Sequence, residues 1–234
     1  DGIARKYADK DYTIPVTDID SIAQMCREEK IDGIITSFSD LLLECMVKIA
    51  DRAGIPCYLK PEQLPWYRDK SVTRALLTEL GLPTPGFRKI PIAYFKDRSK
   101  RTQLQELLEG LRYPVVSKPL DKYGSRGIYI SEDLEELING AEKTAGFSDM
   151  PEILVEEYND GYEFNMMTWV RHGKVHVISI ADREKTFVAK GEIPISTRNV
   201  YPSRLLSKVE KPATELLQAY ADRTGQKGGA LSMQ

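Results

Sequence analysis

Lys118 ends an apolar segment and stands just before a loop of small and basic residues. The segment is Tyr113–Pro119, and the loop contains Gly124–Gly127. An ammonium group beside several free backbone N–H groups is well suited to bind phosphate. An ordinary strand and turn with a solvated lysine is an equally acceptable interpretation of this stretch alone. The stretch matches neither G-x-x-x-x-G-K-[ST] nor G-x-G-x-x-G, so it predicts neither a P-loop nor a Rossmann phosphate turn.

A second stretch places acidic residues after an apolar segment. Ile153–Val155 lead into Glu156 and Glu157, and a further acid, Glu163, follows a turn at Gly161. This pattern suits a hinge between two modules, where backbone groups bind an adenine edge and a carboxylate accepts hydrogen bonds from ribose hydroxyls. A hairpin with acidic surface residues is the alternative, and it is favoured if this stretch is considered alone.

The second half of the chain, which must position these residues, mixes strands and helices. Helical spacing is found in Leu104–Leu111, in Leu134–Ala141 and around Leu216–Tyr220, and Arg171–Lys174 predicts a hairpin turn. The predicted strands are Phe87–Ile90, Tyr113–Lys118, Gly127–Ile130, Ile153–Tyr158, Glu163–Val170, Val175–Ala181 and Gly229–Gln234. We therefore expect this half to be α+β and partly antiparallel.

The chain before Pro61 alternates helix and strand patterns. Asp18 or Asp20 can cap a helix whose apolar residues recur at helical spacing, and Ser39 and Asp40 precede a second run of this kind. Ile31–Thr36 and Ile55–Tyr58 have the composition of short buried strands. Such alternation predicts a parallel α/β sheet. A sheet of this kind normally begins with a strand, so we expect the chain to start inside a domain.

Composition excludes several classes of protein. The 234 residues include 33 Lys and Arg against 35 Asp and Glu, which gives a net charge of −2 and no overall reason to expect nucleic acid as a partner. No apolar run approaches the roughly 20 residues of a membrane span, so we expect no membrane partner. The three cysteines are odd in number and lack C-x-x-C spacing, which favours a reducing cytoplasm.

Four stretches in order along the chain together resemble the ATP-grasp superfamily. They are Ala8–Lys10 with Ile31–Ile35, Asp69–Lys70 with Thr84–Pro85, Tyr113–Pro119 with Gly124–Gly127, and Leu154–Glu163. In that order they resemble the end of the domain that precedes an ATP-grasp module, the first ATP-contacting lysine with the turn into the lid, the second lysine with the phosphate-covering loop, and the adenine hinge with the ribose acid. The part before the module most resembles carboxylate-amine ligases and the large subunit of carbamoyl phosphate synthase.

The resemblance implies a role for each matching residue. Lys70 and Lys118 would contact the α and β phosphates, where two cations offset the charge of the triphosphate, and Glu163 would bind the ribose. The loop that would cover the phosphates is Tyr123, Gly124, Ser125, Arg126 and Gly127, and the hinge that would bind adenine is Glu156, Glu157, Tyr158 and Asn159. Arg183 and Lys185, with Asp182, occupy positions where related enzymes place groups that touch the γ phosphate or the acceptor. A solvated surface is the alternative for these three.

The resemblance also implies where metal ligands should be. In this family they are usually a Glu followed by Glu-x-Asn, on strands that come after the position of Gln234. We therefore name no metal ligand in this chain and expect ATP to act with Mg²⁺ held by ligands beyond Gln234. Phosphoryl transfer depends on neutralisation of charge by metal, so we expect this fragment alone to be inactive.

These expectations define two domains. Residues 1–62 would be a partial parallel α/β domain of the kind that precedes an ATP-grasp module, and 63–234 would be the module without its last strands. Within the module we expect a linker and first helix (63–86), a lid subdomain (87–157) and an incomplete C-terminal subdomain (158–234). The two glycine-containing connections of the lid suit a rotating unit.

The function implied for the full-length parent is that of an ATP-dependent ligase. It would activate a small carboxylate as an acyl phosphate for attack by an amine or similar nucleophile. We expect it to act in the cytoplasm, either as a monomer or as a homodimer. The alternative is a module that binds nucleotide for regulation and does not turn it over.

Overall fold

The computed structural model describes residues 3–36, 39–122, 126–186, 194 and 196–234. Two compact units are present, Asp1–Leu64 and Pro65–Gln234. The second unit holds every residue of the predicted nucleotide site that the structure describes. Within the described ranges, no helix combines the length and the apolar character that crossing a bilayer requires.

The first unit is built on two helices, α1 (Ile19–Glu28) and α2 (Asp40–Ala53), after a 3-10 turn at Ile3–Tyr7. Of the two acids predicted to cap α1, Asp18 does so and accepts a hydrogen bond from the Ser21 amide, and Ser39 caps α2 and accepts one from the Leu42 amide. The two helices pack through a small core. It contains Ala23, Cys26, Cys45 and Ile49.

The parallel sheet expected in the first unit does not form among its described residues. The N–H groups that begin the two predicted strands, at Ile31 and Ile55, donate to carbonyls at the ends of α1 and α2, those of Cys26 and Ala50. Ile35 is 75% exposed, so no neighbouring strand covers it. Both segments are therefore irregular chain that follows a helix, and their apolar composition alone wrongly predicted strands.

The segment after Lys60, which was predicted to begin as a linker before the first helix, is largely helical. Pro61–Gln63 forms a 3-10 turn and is followed by α3 (Leu64–Arg68) and α4 (Lys70–Glu79). Pro61 is tolerated because it occupies the first turn, where an amide hydrogen has no helical partner. Asp69 caps α4 and accepts hydrogen bonds from the amides of Ser71 and Val72.

The first sheet has the strand order β1-β4-β2-β3, and all its pairs are antiparallel. Its strands are β1 (Phe87–Pro91), β2 (Val115–Pro119), β3 (Tyr129–Ser131) and β4 (Glu152–Glu157). Its helices are α5 (Ala93–Lys96), α6 (Arg101–Leu108) and α7 (Leu134–Ala145), with a 3-10 turn at Arg98–Lys100. Val115, Ile153 and Val155 pack in one core with Leu104 and Leu137 of the helices. Because side chains alternate along a strand, Val116, Lys118 and Glu156 are left on the opposite face.

The second sheet has the order β7-β6-β5-β8 and is also antiparallel. Its strands are β5 (Phe164–Arg171), β6 (Lys174–Lys185), β7 (Ser196–Val200) and β8 (Gly228–Met233). Helix α8 (Leu206–Thr224) packs on one face through Leu217 and Ala221. The predicted hairpin is confirmed, with His172 (φ 52°) and Gly173 (φ 79°) forming its turn. Positive φ at both turn residues matches the twist of the paired strands.

Candidate functional site

A cleft of about 680 Å³ lies between the two sheets of the second unit. Its lining combines apolar side chains with charged ones. The apolar residues include Val116, Ile128, Phe164 and Met233, and the charged residues are Arg74, Lys118, Glu156, Glu157, Glu163, Arg183 and Lys185. This combination suits a flat apolar ring that carries a polar, anionic tail.

Lys118 and Glu156 form an ion pair on the cleft face of the first sheet. Val116 is the register partner of Glu156, so Lys118 lies two residues further along the same face and reaches back to the carboxylate. Arg74 of α4 contacts the same carboxylate, with Nε 3.1 Å from Oε2 and its terminal nitrogen 3.5 Å from Oε1. Glu156 is therefore held between a strand lysine and a helix arginine.

The Glu156 side chain is only 4% exposed, whereas those of Lys118 and Arg74 are 20% and 28% exposed. Burial by itself would raise the pKa of the carboxyl group. The charges of Lys118 and then of Arg74 outweigh that cost, and the pKa of Glu156 lies below its usual range. Two cations thus keep a buried carboxylate ionised.

Glu157 points away from that pair and is held by a different residue. Arg112 donates to it from the backbone amide (3.0 Å) and from two guanidinium nitrogens (3.1 and 3.2 Å), and the Gly86 amide adds a 3.4 Å contact. These hydrogen bonds, first those from the Arg112 side chain, lower the pKa of Glu157 to about 2. Beyond it, Tyr158 and Asn159 line the cleft, and Asn159 accepts a hydrogen bond from the Gly161 amide at 2.9 Å.

Glu163 forms a second cluster, beside the second sheet. Arg183 contacts one carboxylate oxygen at 3.1 Å, Lys185 pairs with the other, and Gln234 donates to the first. The side chains of Glu163, Arg183 and Lys185 are 21%, 22% and 28% exposed. The structure therefore brings the predicted ribose acid and the two predicted catalytic residues together.

Other predicted residues lie elsewhere. The Lys70 ammonium donates a hydrogen bond to the Lys122 carbonyl at 2.8 Å, next to the loop that follows β2. Lys70 is not among the described residues that line the cleft. Arg126 is exposed and Gly127 is buried, and neither lines the described cleft. Tyr123, Gly124 and Ser125 fall outside the described residues.

Gly127 is held tightly at the end of the predicted phosphate loop. Its φ is +70°, its carbonyl accepts a hydrogen bond from Thr144 at 2.9 Å, and a Cβ there would lie 2.8 Å from the Phe147 ring. Asp182, grouped with Arg183 and Lys185 in the sequence, instead contacts Ser203 at 2.6 Å and Arg204 at 2.7 Å. It does not line the described cleft.

Sequence reasoning missed Arg74 and Gln234, which contact the predicted acids Glu156 and Glu163. Arg74 follows Lys70 by four positions in α4, and residues at this spacing share a helix face. That spacing could have indicated it. Gln234 follows the last residue of β8, and nothing in its local sequence connects it with Glu163.

The described residues contain no group of three or more His, Cys, Asp or Glu side chains that could hold a metal ion. The three acids of the cleft each contact a basic side chain: Glu156 meets Lys118 and Arg74, Glu157 meets Arg112, and Glu163 meets Arg183 and Lys185. These carboxylates do not fit a magnesium site as they stand, and ligands beyond Gln234 stay a prediction.

The sequence and the fold of this chain are similar to those of known proteins, although no family model matches it. The N-terminal section of the carbamoyl phosphate synthase large chain from Methanopyrus kandleri is 26% identical over 184 residues, which cover 76% of this chain and 31% of that protein. A biotin carboxylase–β-γ-ATP complex from Campylobacter jejuni matches with a TM-score of 0.74 and 19% identity over 98% of this chain and 53% of that one.

A third match is the biotin carboxylase domain dimer of the Hydrogenobacter thermophilus 2-oxoglutarate carboxylase, solved with MgADP, ADP and bicarbonate. Its TM-score is 0.71 at 19% identity, over 97% of this chain and 51% of that one. The chain thus spans under a third of the curated relative and about half of each solved structure. The fold is that of ATP-grasp proteins, and the resemblance predicted from the motifs is confirmed. Within that superfamily, the sequence is similar to the carbamoyl phosphate synthase large chain.

Proposed function

We propose that this chain forms the nucleotide-binding part of an ATP-grasp ligase. The full protein would activate a carboxylate as an acyl phosphate, using ATP, for attack by an amine or similar nucleophile. The observation that carries the proposal is the cleft, which is lined by apolar side chains together with the Lys118–Glu156–Arg74 cluster and the Glu163–Arg183–Lys185 cluster. The names of the matched proteins support the same chemistry, since they include a β-γ-ATP complex and a complex with MgADP and bicarbonate.

Different residues of the cleft would bind the adenine and the ribose of ATP. Val116, Ile128 and Phe164 offer apolar surface to adenine, and the backbone of the hinge, Glu156 to Asn159, offers hydrogen-bonding groups to its edge. Glu163 accepts hydrogen bonds from ribose hydroxyls. This arrangement would orient the triphosphate toward the cations of the cleft.

The cations would then neutralise the phosphates in a site from which the lid excludes water. Lys118 is assigned to the α and β phosphates together with Lys70, and the backbone of residues 123–127 is assigned to cover them. Arg183 and Lys185 are assigned to the γ phosphate or the acceptor. We retain residues 87–157 as the lid that carries Lys118.

One observation favours the second candidate, a module that binds nucleotide without turnover. The described residues hold no metal-binding acid cluster, and phosphoryl transfer depends on metal charge. Release of ADP separates the two candidates when the protein is supplied with ATP, magnesium and panels of carboxylates and amines. Turnover with any pair supports the ligase, and binding without turnover by the full-length gene product supports the module.

A matched pair of lysine variants tests the binding site. Lys118→Ala removes an ammonium aimed into the cleft, and we expect ADP affinity to fall about 10-fold to 150-fold, the value of a charge-assisted contact. Lys122→Ala is the control, because the Lys122 ammonium pairs with Asp121 at 2.9 Å on the surface and its carbonyl, which accepts from Lys70, is retained. Calorimetric titration with ADP measures both variants. Equal losses contradict the assignment of Lys118.

A further inference from the structure

The proposed function does not explain how the buried Glu156 carboxylate stays neutralised when Lys118 binds phosphate. If Lys118 binds phosphate, it must turn from the Glu156 carboxylate toward the ligand. The carboxylate is 4% exposed, so water cannot solvate it when the lysine leaves. A buried carboxylate that loses its partner is strongly destabilised.

We propose that Arg74 is the residue that keeps Glu156 ionised while Lys118 is transferred to an anionic ligand. Arg74 would thus be a positioning residue that acts through Glu156 and does not itself touch the phosphates. The proposal rests on the proposed function, since it needs Lys118 to bind a nucleotide phosphate.

The geometry of the cluster supports this division of roles. Arg74 belongs to α4 and Lys118 to β2, so the two cations approach Glu156 from different elements. Arg74 reaches both carboxylate oxygens, at 3.1 and 3.5 Å, and an arginine fork can hold both at once. Lys118 contacts only Oε1. The lysine can leave without breaking the arginine contacts.

Among the described residues, the charged groups in contact with Glu156 are Lys118 on β2 and Arg74 on α4. The other cations nearby have partners of their own: Lys70 of α4 donates to the Lys122 carbonyl, and Arg183 and Lys185 contact Glu163. On the other side of β4, the register partner of Glu156 in β1 is the apolar Phe87. The neighbouring acid, Glu157, is held by Arg112 and Gly86.

Removal of Arg74 should therefore couple nucleotide binding to a proton. In Arg74→Met, Lys118 still pairs with Glu156 in the free protein, so the variant should fold. When Lys118 pairs with a phosphate of ADP, the Glu156 carboxylate is left buried without a cation and must bind a proton. Its pKa is then higher in the complex than in the free protein, and ADP binding weakens as pH rises.

Calorimetric titration of the 234-residue chain with ADP tests this at pH 7 and pH 8, in two buffers of different ionisation enthalpy. We expect Arg74→Met to take up as much as one proton per ADP and to lose up to about 10-fold in affinity per pH unit. Wild type should show less than about 2-fold change over the same range. Arg74→Lys should restore most of the affinity without proton uptake, and Arg74→Met/Glu156→Gln should bind independently of pH.

Arg223→Met is the matched control. Arg223 makes an arginine–glutamate contact with Glu79 at 3.0 Å, also on α4, but both side chains are exposed, at 44% and 59%, and lie outside the described cleft. It should bind ADP like wild type at both pH values. Uniform weakening of Arg74→Met without proton uptake, or unchanged binding, overturns the inference and leaves the proposed function standing. Failure of wild type to bind ADP overturns the proposed function, and the inference with it.

Discussion

The carboxylates Glu156 and Glu163 stand on the two sides of the cleft, and each is held by two basic side chains. Their surroundings differ, because Glu156 is 4% exposed and Glu163 is 21% exposed. Water can replace a cation that leaves Glu163, but it cannot do so at Glu156. The two clusters contain the same number of ion pairs, but breaking a pair costs more free energy at Glu156 than at Glu163. The Glu156 cluster must therefore stay neutralised, whereas the Glu163 cluster can rearrange around a ligand at a low cost in free energy.

The largest difference should appear when both cations are removed from the buried carboxylate. Arg74→Met/Lys118→Met leaves Glu156 unpaired, so it must be protonated to stay buried. We expect the free energy of unfolding to fall by about 4 kcal/mol at pH 7, since each unit between the pH and an ordinary carboxyl pKa of about 4.3 costs about 1.4 kcal/mol.

The sign of the pH dependence is distinctive. In wild type the lowered pKa of Glu156 contributes stability above the usual carboxyl pKa, and this is lost as pH falls. In the double variant the pKa is raised, so stability is greatest at low pH and falls as pH rises from 6 to 8. Urea unfolding across that range measures it, and a constant gap between the two proteins would contradict the burial argument.

The same double substitution on the other side should have a smaller effect. Arg183→Met/Lys185→Met leaves Glu163 with Gln234 and with water, so we expect a loss of about 1 kcal/mol or less. The loss should shrink further in high salt, because exposed charges are screened. Urea unfolding at two salt concentrations checks this. A loss as large as that of the buried double variant would abolish the distinction between the two clusters.

The smallest effect on stability is expected at Glu157, where backbone groups share the task. Arg112→Ala removes the guanidinium but keeps the amide of residue 112 and the Gly86 amide as donors. The pKa of Glu157, about 2 in wild type, should rise toward its usual value while staying below it. NMR titration of the carboxyl group measures the shift. The melting temperatures of the two proteins should converge as pH falls from about 4.5 toward 2, since a protonated Glu157 gains nothing from Arg112.

The sequence predicted the strands that carry the site better than it predicted their neighbours. Val115–Pro119 and Glu152–Glu157 are buried on both sides, so their apolar runs are easy to identify. Ser196–Val200 is a strand that the sequence did not reveal. It lies at the edge of its sheet and is almost wholly exposed, so burial imposes no apolar pattern on it.

Pairings across the chain were beyond the reach of local patterns. Lys118 and Glu156 were each predicted to be in the site, but their mutual contact spans 38 positions. The Arg74 contact spans 82 positions and depends on where α4 lies against β4. Periodicity gives the face of a strand on which a residue stands, but it does not give the partner that a different element brings to that face.

The close fit of Gly127 against Phe147 also limits how this protein can diverge. Any side chain at position 127 meets both an unfavourable backbone conformation and the aromatic ring. A lineage that changes residue 127 must therefore also reshape the turn and reduce the side chain at 147. Residues 127 and 147 should thus be inherited together, so that this turn evolves by coupled replacement and resists drift one residue at a time.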